Sequence, residues 1–397
     1  MRVLTFSSLF PSEARPRHGI FVETRLRHLI ADCNVEARVI APVPWFPLRS
    51  RWFGRYAVFA ATPSEGTRIG GRVKVAYPRY PMLPRIGVAF QPRCMASSAL
   101  TVVEAWFKGG WTPDVIDAHY FYPDGVAASM LAERLGRPYL ITARGTDVNV
   151  LARMPGPARK VLRAARGAVA IIAVSEALRC ALIELGVEPS KVFTLRNGVD
   201  LDVFRIEDRM AARGRLGLPE VPLLASVGNL VEEKDQALAI RSLCELPEHH
   251  LLIVGDGPLR WKLEALSREL GVSRRVRFLA PMPQRELSYL YSSVDALLLT
   301  STREGWPNVV LESLACGTPV VALDVGAVRE ILGESAVGRV VELRDPSALA
   351  AAVRSLTTAR PPREEVRGYA ARFGWKDVSI GQWRLLQLAM ARYRLEH

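Results

Sequence analysis

Cysteine is scarce in this chain: five in 397 residues, at Cys33, Cys94, Cys180, Cys244 and Cys316. They are scattered and odd in number, which excludes a disulfide scaffold and any metal-ligand spacing. A reduced, cytoplasmic setting is therefore expected. No apolar run approaches the ~18 residues that a membrane-spanning helix needs. The opening Met1-Arg2-Val3-Leu4-Thr5-Phe6-Ser7-Ser8-Leu9 is too short in apolar residues, and too interrupted by Thr and Ser, for a secretory signal. It predicts a first strand instead. Internal repeats and low-complexity tracts are absent. So are a helix-turn-helix, an RNA-recognition signature, a zinc finger and any dense Lys/Arg block. The net charge of +13 fits an anionic membrane surface or an anionic substrate as well as nucleic acid, and charge alone does not choose between them; with none of those signatures, no nucleic-acid partner is expected. No D-x-D carboxylate pair stands where it would bind a metal, so no metal or cofactor is expected.

What remains is an ordinary globular composition, 49% hydrophobic, long enough for two domains with full cores. Strand-like runs alternate with helical stretches, which predicts α/β architecture with parallel sheets. A first series comprises Val3 to Phe6, Glu36 to Ile40, Val73 to Tyr77, Val115 to Ala118, Tyr139 to Thr142, Ala170 to Val174 and Val192 to Leu195. A second comprises Leu223 to Val227, Leu251 to Val254, Val276 to Leu279, Ala296 to Thr300, Val320 to Leu323 and Gly338 to Val341. Helices fit between them, among them Phe21 to Ala31, Gln236 to Glu245 and Leu259 to Leu270. Polar residues between Asp202 and Pro222 separate the series. The expectation is two Rossmann-like domains, 1–205 and 206–374, with a cleft between them. A last helix, Ser379 to Arg394 within 375–397, is expected to return to the first domain.

The most informative stretch runs from Thr302 to Pro319. Glu304 and Glu312 stand there with seven residues between them. Pro307 sits where a helix would begin, because its missing N–H is an orphan donor at that position. Gly317 sits where it would end, in a place that tolerates left-handed backbone. A helix start offers unpaired N–H groups and a positive dipole end to a phosphate. Carboxylates beside a phosphate repel it unless they face something else, and hydroxyls are the natural alternative. Two acids flanking such a helix start suggest a ligand with hydroxyls on both sides of a phosphate, such as a nucleotide sugar. Upstream, Gly228 in Ser226-Val227-Gly228-Asn229-Leu230 would let backbone approach a ligand closely. Lys234 follows at a helix start and could pair with a diphosphate.

Together with Asn197-Gly198-Val199-Asp200, these stretches resemble the retaining glycosyltransferases of family 4, which have the GT-B fold. Phe10-Pro11-Ser12-Glu13 and Pro16-Arg17-His18-Gly19-Ile20-Phe21-Val22 look like a narrower branch that includes enzymes of teichuronic acid biosynthesis. The resemblance implies the following roles. Glu304 binds donor-sugar hydroxyls on the reacting face, and Glu312 binds the ribose. The stretch Gly305, Trp306, Pro307, Asn308 and Val309 meets the diphosphate or sugar. Lys234 neutralises the leaving diphosphate, and Met282 lies near the base. Gly19 lies in a loop that closes on the donor. His119 is a sugar-facing histidine at a strand end, and Asp147 and Asn197 lie on the acceptor side. Two departures stand out. Asn229 occupies a position that is commonly Arg, with Arg303 and Arg196 the nearest substitutes. His18 replaces a second frequent glycine. The implied reaction is retaining hexosyl transfer from a UDP- or GDP-linked sugar to a glycan or polyprenyl-linked acceptor, in cell-envelope polysaccharide biosynthesis. A sugar-nucleotide-binding subunit without activity and a GT-B-fold nucleotide-sugar epimerase are the alternatives.

One segment lies apart from these motifs. Trp45 to Tyr56 holds three Arg and five aromatics and no acid. Three Arg contribute about 3 kcal/mol at an anionic leaflet, only millimolar-grade binding, so aromatic insertion or a lipid-linked acceptor would have to add the rest. The segment either touches the inner face of the plasma membrane and admits a polyprenyl-linked acceptor, or folds over the first domain and buries its own aromatics.

Overall fold

The computed structural model describes residues 1–46, 52, 55–82, 89–333 and 336–396. Positions 47–51, 53 and 54 of the basic aromatic segment lie outside the described residues. At its described positions Trp45 is 58% and Trp52 is 91% exposed. The chain divides into two compact units: Met1–Arg196 with Lys376–His397, and Asn197–Trp375.

The first unit is built on an eight-stranded sheet. Its order is Val192–Thr194, Ala170–Ala173, Tyr139–Ala143, Val115–His119, Arg2–Phe6, Glu36–Ile40, Val73–Ala76 and Glu65–Arg68. Every residue of Val115–His119, Tyr139–Ala143 and Ala170–Ala173 is buried. That is why Tyr139–Ala143 and Ala170–Ala173 read as near-continuous apolar runs: a parallel sheet is covered on both faces. The edge strand Glu65–Arg68 pairs antiparallel with Val73–Ala76. Its sequence, Glu-Gly-Thr-Arg, carries no apolar pattern and escaped the sequence reading, as did the two-residue pair Val43–Pro44 with Arg79–Tyr80. The register sets Phe6 beside Ala118 and His119 beside Thr142. Ser7, His119 and Arg144 are thereby gathered near the carboxyl ends of neighbouring strands, where open α/β sheets take ligands. The helix Trp375–Glu396 buries Leu386 and Ala389 in this unit's core.

The second unit carries a six-stranded, all-parallel sheet in the order Val276–Leu279, His250–Val254, Leu223–Val227, Ala296–Leu299, Val320–Leu323 and Gly338–Val341. Leu224, Ile253, Leu298 and Val321 meet Leu238, Ile240, Leu349 and Val353 of the covering helices. The polar stretch Asp202 to Pro222 is not simply a connector, since it contains the helix Arg209–Leu216. Asp208 caps it by accepting from the Ala211 N–H, and Gly217 ends it. Those two cap residues were the available signal. Among the described residues no helix is long and apolar enough to cross a membrane.

Candidate active site

In the second unit the strand Ala296–Leu299 leads through a loop to the helix Asn308–Ala315. The helix begins one residue later than expected. Pro307 is extended and caps it, accepting from the Val310 N–H at 3.0 Å. The Asn308 and Val309 N–H groups have no acceptor from the helix itself, and the positive dipole end lies there. Gly317, with φ of 72°, takes the expected left-handed position after the helix.

Glu304 is largely buried, and its Oε1 accepts from Lys234 Nζ at 2.5 Å and from Ser301 Oγ at 2.7 Å. Its Oε2 accepts from none of the described residues. The backbone beneath it is held by a residue not singled out in the sequence. Gly326 has φ of 53°, and a Cβ there would stand 2.0 Å from the Glu304 carbonyl oxygen. Glu312, about one turn into the helix, accepts from Tyr291 Oη at 3.0 Å on Oε2. Burial raises its carboxyl to about 7, against the lowering influence of that bond. The Tyr291 hydroxyl is itself pushed far up by burial and by Glu312.

Lys234 reaches Glu304 because its segment is fastened to the neighbouring strand end. Thr302 N–H donates to the Glu233 carbonyl at 2.8 Å, and Thr300 Oγ1 to the Lys234 carbonyl at 3.1 Å. The Arg344 guanidinium donates to Asp235 Oδ2, to the Thr300 carbonyl and to the Ser301 carbonyl at 2.7, 3.0 and 2.7 Å. Lys234 methylenes lie 3.7 Å from where a Cβ on Gly228 would stand, an ordinary packing distance.

The remaining expected donor residues fall into two groups. Gly305 and Val309 are half-buried in this loop and helix, Met282 is half-buried in its own loop, and Asn229 is exposed with its carbonyl accepting from Gln236. Trp306 turns inward, its ring 6.2 Å from that of Phe373, so it can meet a ligand only through its backbone. Arg303, offered as a substitute for the missing arginine, instead pairs with Glu233 at 3.2 Å on the surface. Asn197 belongs to the second unit, is buried, and its Nδ2 donates to Asn308 Oδ1 at 3.2 Å. It steadies the first residue of the helix.

The first unit gathers its own polar group at the strand ends. His119 is buried, with Nε2 at 3.2 Å from Asp117 Oδ2 and Nδ1 at 2.8 Å from Arg144 Nη2. Burial holds its pKa down, more strongly than Asp117 raises it. Both ring nitrogens are thus engaged within the first unit. Arg144 stacks on Phe21 at 5.0 Å, and burial brings its pKa to about 9. Asp147 is fully buried, and its carboxylate accepts from the N–H groups of Phe121, Arg144 and Gly145. It shapes the turn that carries Arg144 and has no carboxylate to offer an acceptor. The loop from Ser7 to Gly19 is pinned in place. Ser7 Oγ donates to the His119 carbonyl at 3.1 Å, and Ser8 meets Asp124, whose carboxyl burial raises to about 7. His18, lowered to about 4 chiefly by burial, stays neutral and donates to the Ser8 carbonyl at 3.2 Å. Gly19, with φ of 68°, lets the helix start approach Leu9, where a Cβ would lie 2.2 Å from the carbonyl oxygen.

Asp117, Arg25, Gln382, Tyr291, Ser301, Gly326 and Arg344 were not selected from the sequence. Only Asp117 carried a visible signal, an acid inside an otherwise apolar strand. Among the described residues no cluster of His, Cys, Asp or Glu is placed to hold a metal ion.

Comparison with known proteins agrees with these features. The family model for glycosyl transferases group 1 matches residues 208–373, and that for glycosyltransferase family 4 matches residues 34–203. A protein of Bacillus subtilis (strain 168) named for teichuronic acid biosynthesis, the glycosyltransferase TuaC, is 31% identical over 84% of each chain. The D-inositol 3-phosphate glycosyltransferase 2 of Catenulispora acidiphila is 32% identical over 72% of this chain and 73% of its own. Two solved structures share the fold. Sucrose-phosphate synthase (tll1590) of Thermosynechococcus elongatus superposes with a TM-score of 0.81 over 98% of this chain and 99% of its own, at 18% identity. Anabaena Alr3699/HepE, solved in complex with UDP, gives 0.73 over 98% and 100%, at 19% identity. The architecture is GT-B, with two Rossmann-like units.

Proposed function

The chain belongs to the group 1 and family 4 glycosyltransferases, and on that premise we propose that it moves a hexosyl group from a nucleotide-diphosphate sugar to a glycan or polyprenyl-linked acceptor, with retention at the anomeric carbon. The observation that carries this reading is the Lys234–Glu304 contact beside the start of the helix that bears Glu312. Cleavage of a glycosyl diphosphate leaves growing negative charge on the diphosphate. Lys234 and the N–H groups at the helix start stabilise that charge more in the transition state than in the ground state, which is what raises rate. Glu304 exchanges part of its hold on Lys234 for sugar hydroxyls, which its Oε2 is placed to accept. Glu312 accepts from the ribose. Arg144, braced by His119, adds positive charge at the strand ends of the first unit, and the pinned loop ending at Gly19 shapes that side. Attack from the same face as departure gives retention.

The likeness to a protein named for teichuronic acid biosynthesis supports a cell-surface polysaccharide as the destination. The exposed Trp45 and Trp52 support peripheral contact with an anionic leaflet on the cytoplasmic side. Liposome flotation with and without anionic lipid tests that contact. A thermal-shift panel of uridine, guanosine and adenosine diphosphate sugars, followed by mass spectrometry with lipid-linked acceptors, tests the reaction. Transfer product supports it. Release of an epimerised nucleotide sugar, or binding with neither transfer nor hydrolysis, rejects it.

A further inference from the structure

Gln382 lies on the C-terminal helix, 1% exposed, among the apolar residues that seat this helix in the first unit. A buried amide is costly unless both ends are paired, and here both are. Arg25 Nε donates to its Oε1 at 2.6 Å, and its Nε2 donates to Asp117 Oδ2 at 2.6 Å. Because a guanidinium only donates, the amide has one orientation. The same logic continues to the ring. Arg144 only donates, so His119 Nδ1 must be the acceptor at 2.8 Å, and the ring proton must sit on Nε2, facing Asp117 at 3.2 Å. Three charged groups face His119: Asp117 on its own strand, Arg144 after the next strand, and Arg25 from the first helix. Asp117 is fully buried, and its Oδ1 has no hydrogen-bond partner among the described residues. An apolar residue would pack there more favourably, so the acid is explained by what it does to the ring.

We propose that Gln382 is a positioning residue for His119: acting through Asp117, it holds the ring as the neutral Nε2–H tautomer, whose Nδ1 then orients Arg144. The effect on rate rests on the transferase reading above. The tautomer rests on the geometry alone.

The test uses the full chain labelled with 15N-histidine, with the His119 signals identified by their loss in His119→Gln. In the unaltered protein Nδ1 is expected to read as an unprotonated acceptor and Nε2 as protonated from about pH 6 to 8. Gln382→Met takes the second donor from Asp117 Oδ2, so the acid can turn and the His119 Nε2 signal should shift, and kcat should fall about five- to tenfold with the donor KM unchanged. In Asp117→Asn the amide oxygen must stay where Gln382 Nε2 and His119 Nε2 both donate, so the proton stays on Nε2 against a weaker, uncharged acceptor; the Nε2 signal should shift, with a larger fall in kcat. A proton on Nδ1 in the unaltered protein, or unchanged His119 signals in both variants, overturns the proposal. If Gln382→Met fails to fold, the unaltered spectrum and Asp117→Asn still decide. Absence of any sugar transfer by the unaltered protein would reject the transferase reading, while the spectra would still decide the tautomer.

Discussion

Lys234 Nζ stands 2.5 Å from Glu304 Oε1, although 70 positions separate the two residues in the chain. An ammonium and a carboxylate at this distance would be a modest surface pair in water. Here the carboxylate is largely buried, and the contact holds each side chain aimed at the other.

Lys234→Ala and Glu304→Gln are each expected to lower kcat/KM by about 10² to 10³ while the protein stays folded. Because the two residues share one contact, the double variant should lose less than the product of the single losses. Full activity in either single variant would remove that residue from the mechanism.

Glu312 predicts a pH dependence of known sign. Its native carboxyl holds a proton up to about 7, whereas the unfolded chain releases it near 4.5. Between those values the unfolded state binds fewer protons, so Glu312 makes stability fall as pH rises through the window. Glu312→Gln should abolish that fall, raising Tm relative to the unaltered protein at pH 8 and leaving it nearly unchanged at pH 4.5. Nucleoside diphosphate binding should strengthen as pH rises through about 7, because only the carboxylate accepts from both ribose hydroxyls. Isothermal titration across this range is the check, and a slope of opposite sign would count against a ribose role.

Tyr291 donates to that carboxylate at 3.0 Å and favours its charged form. Tyr291→Phe should move the midpoint of the binding profile to higher pH without changing the limiting affinity in alkali. An unmoved midpoint would show that the hydroxyl does not tune Glu312.

Gly326→Ala brings a methyl group to 2.0 Å from the Glu304 carbonyl oxygen, at a positive φ that already disfavours side chains. The Glu304 loop must shift, so donor binding and turnover should both fall although the substituted residue touches no ligand group. A thermal shift of the variant with nucleotide sugar, equal to that of the unaltered protein, would contradict this.

Arg344→Ala removes three hydrogen bonds that hold Asp235, Thr300 and Ser301 together. A loss of about 1 to 3 kcal/mol is expected in chemical denaturation, together with a fall in kcat/KM from the loosened Lys234. Restored activity in Arg344→Lys would show that charge alone suffices there.

Much of the fold was legible from the chain itself. Leu223–Val227 and Val320–Leu323 are expected from the sequence with their observed ends, because a buried strand announces itself in consecutive apolar residues. The Glu304–Glu312 stretch and the left-handed Gly317 were equally local, since helix starts and stops are written in neighbouring residues. The sequence by itself determined that two series of strands and one acid-flanked helix would form. Tertiary structure alone decided that Lys234 meets Glu304, that Asp147 is consumed by backbone N–H groups, and that His119 turns both nitrogens inward between Asp117 and Arg144. Pairing and burial of charge depend on distances between residues far apart in the chain, and no local pattern of side chains encodes those distances.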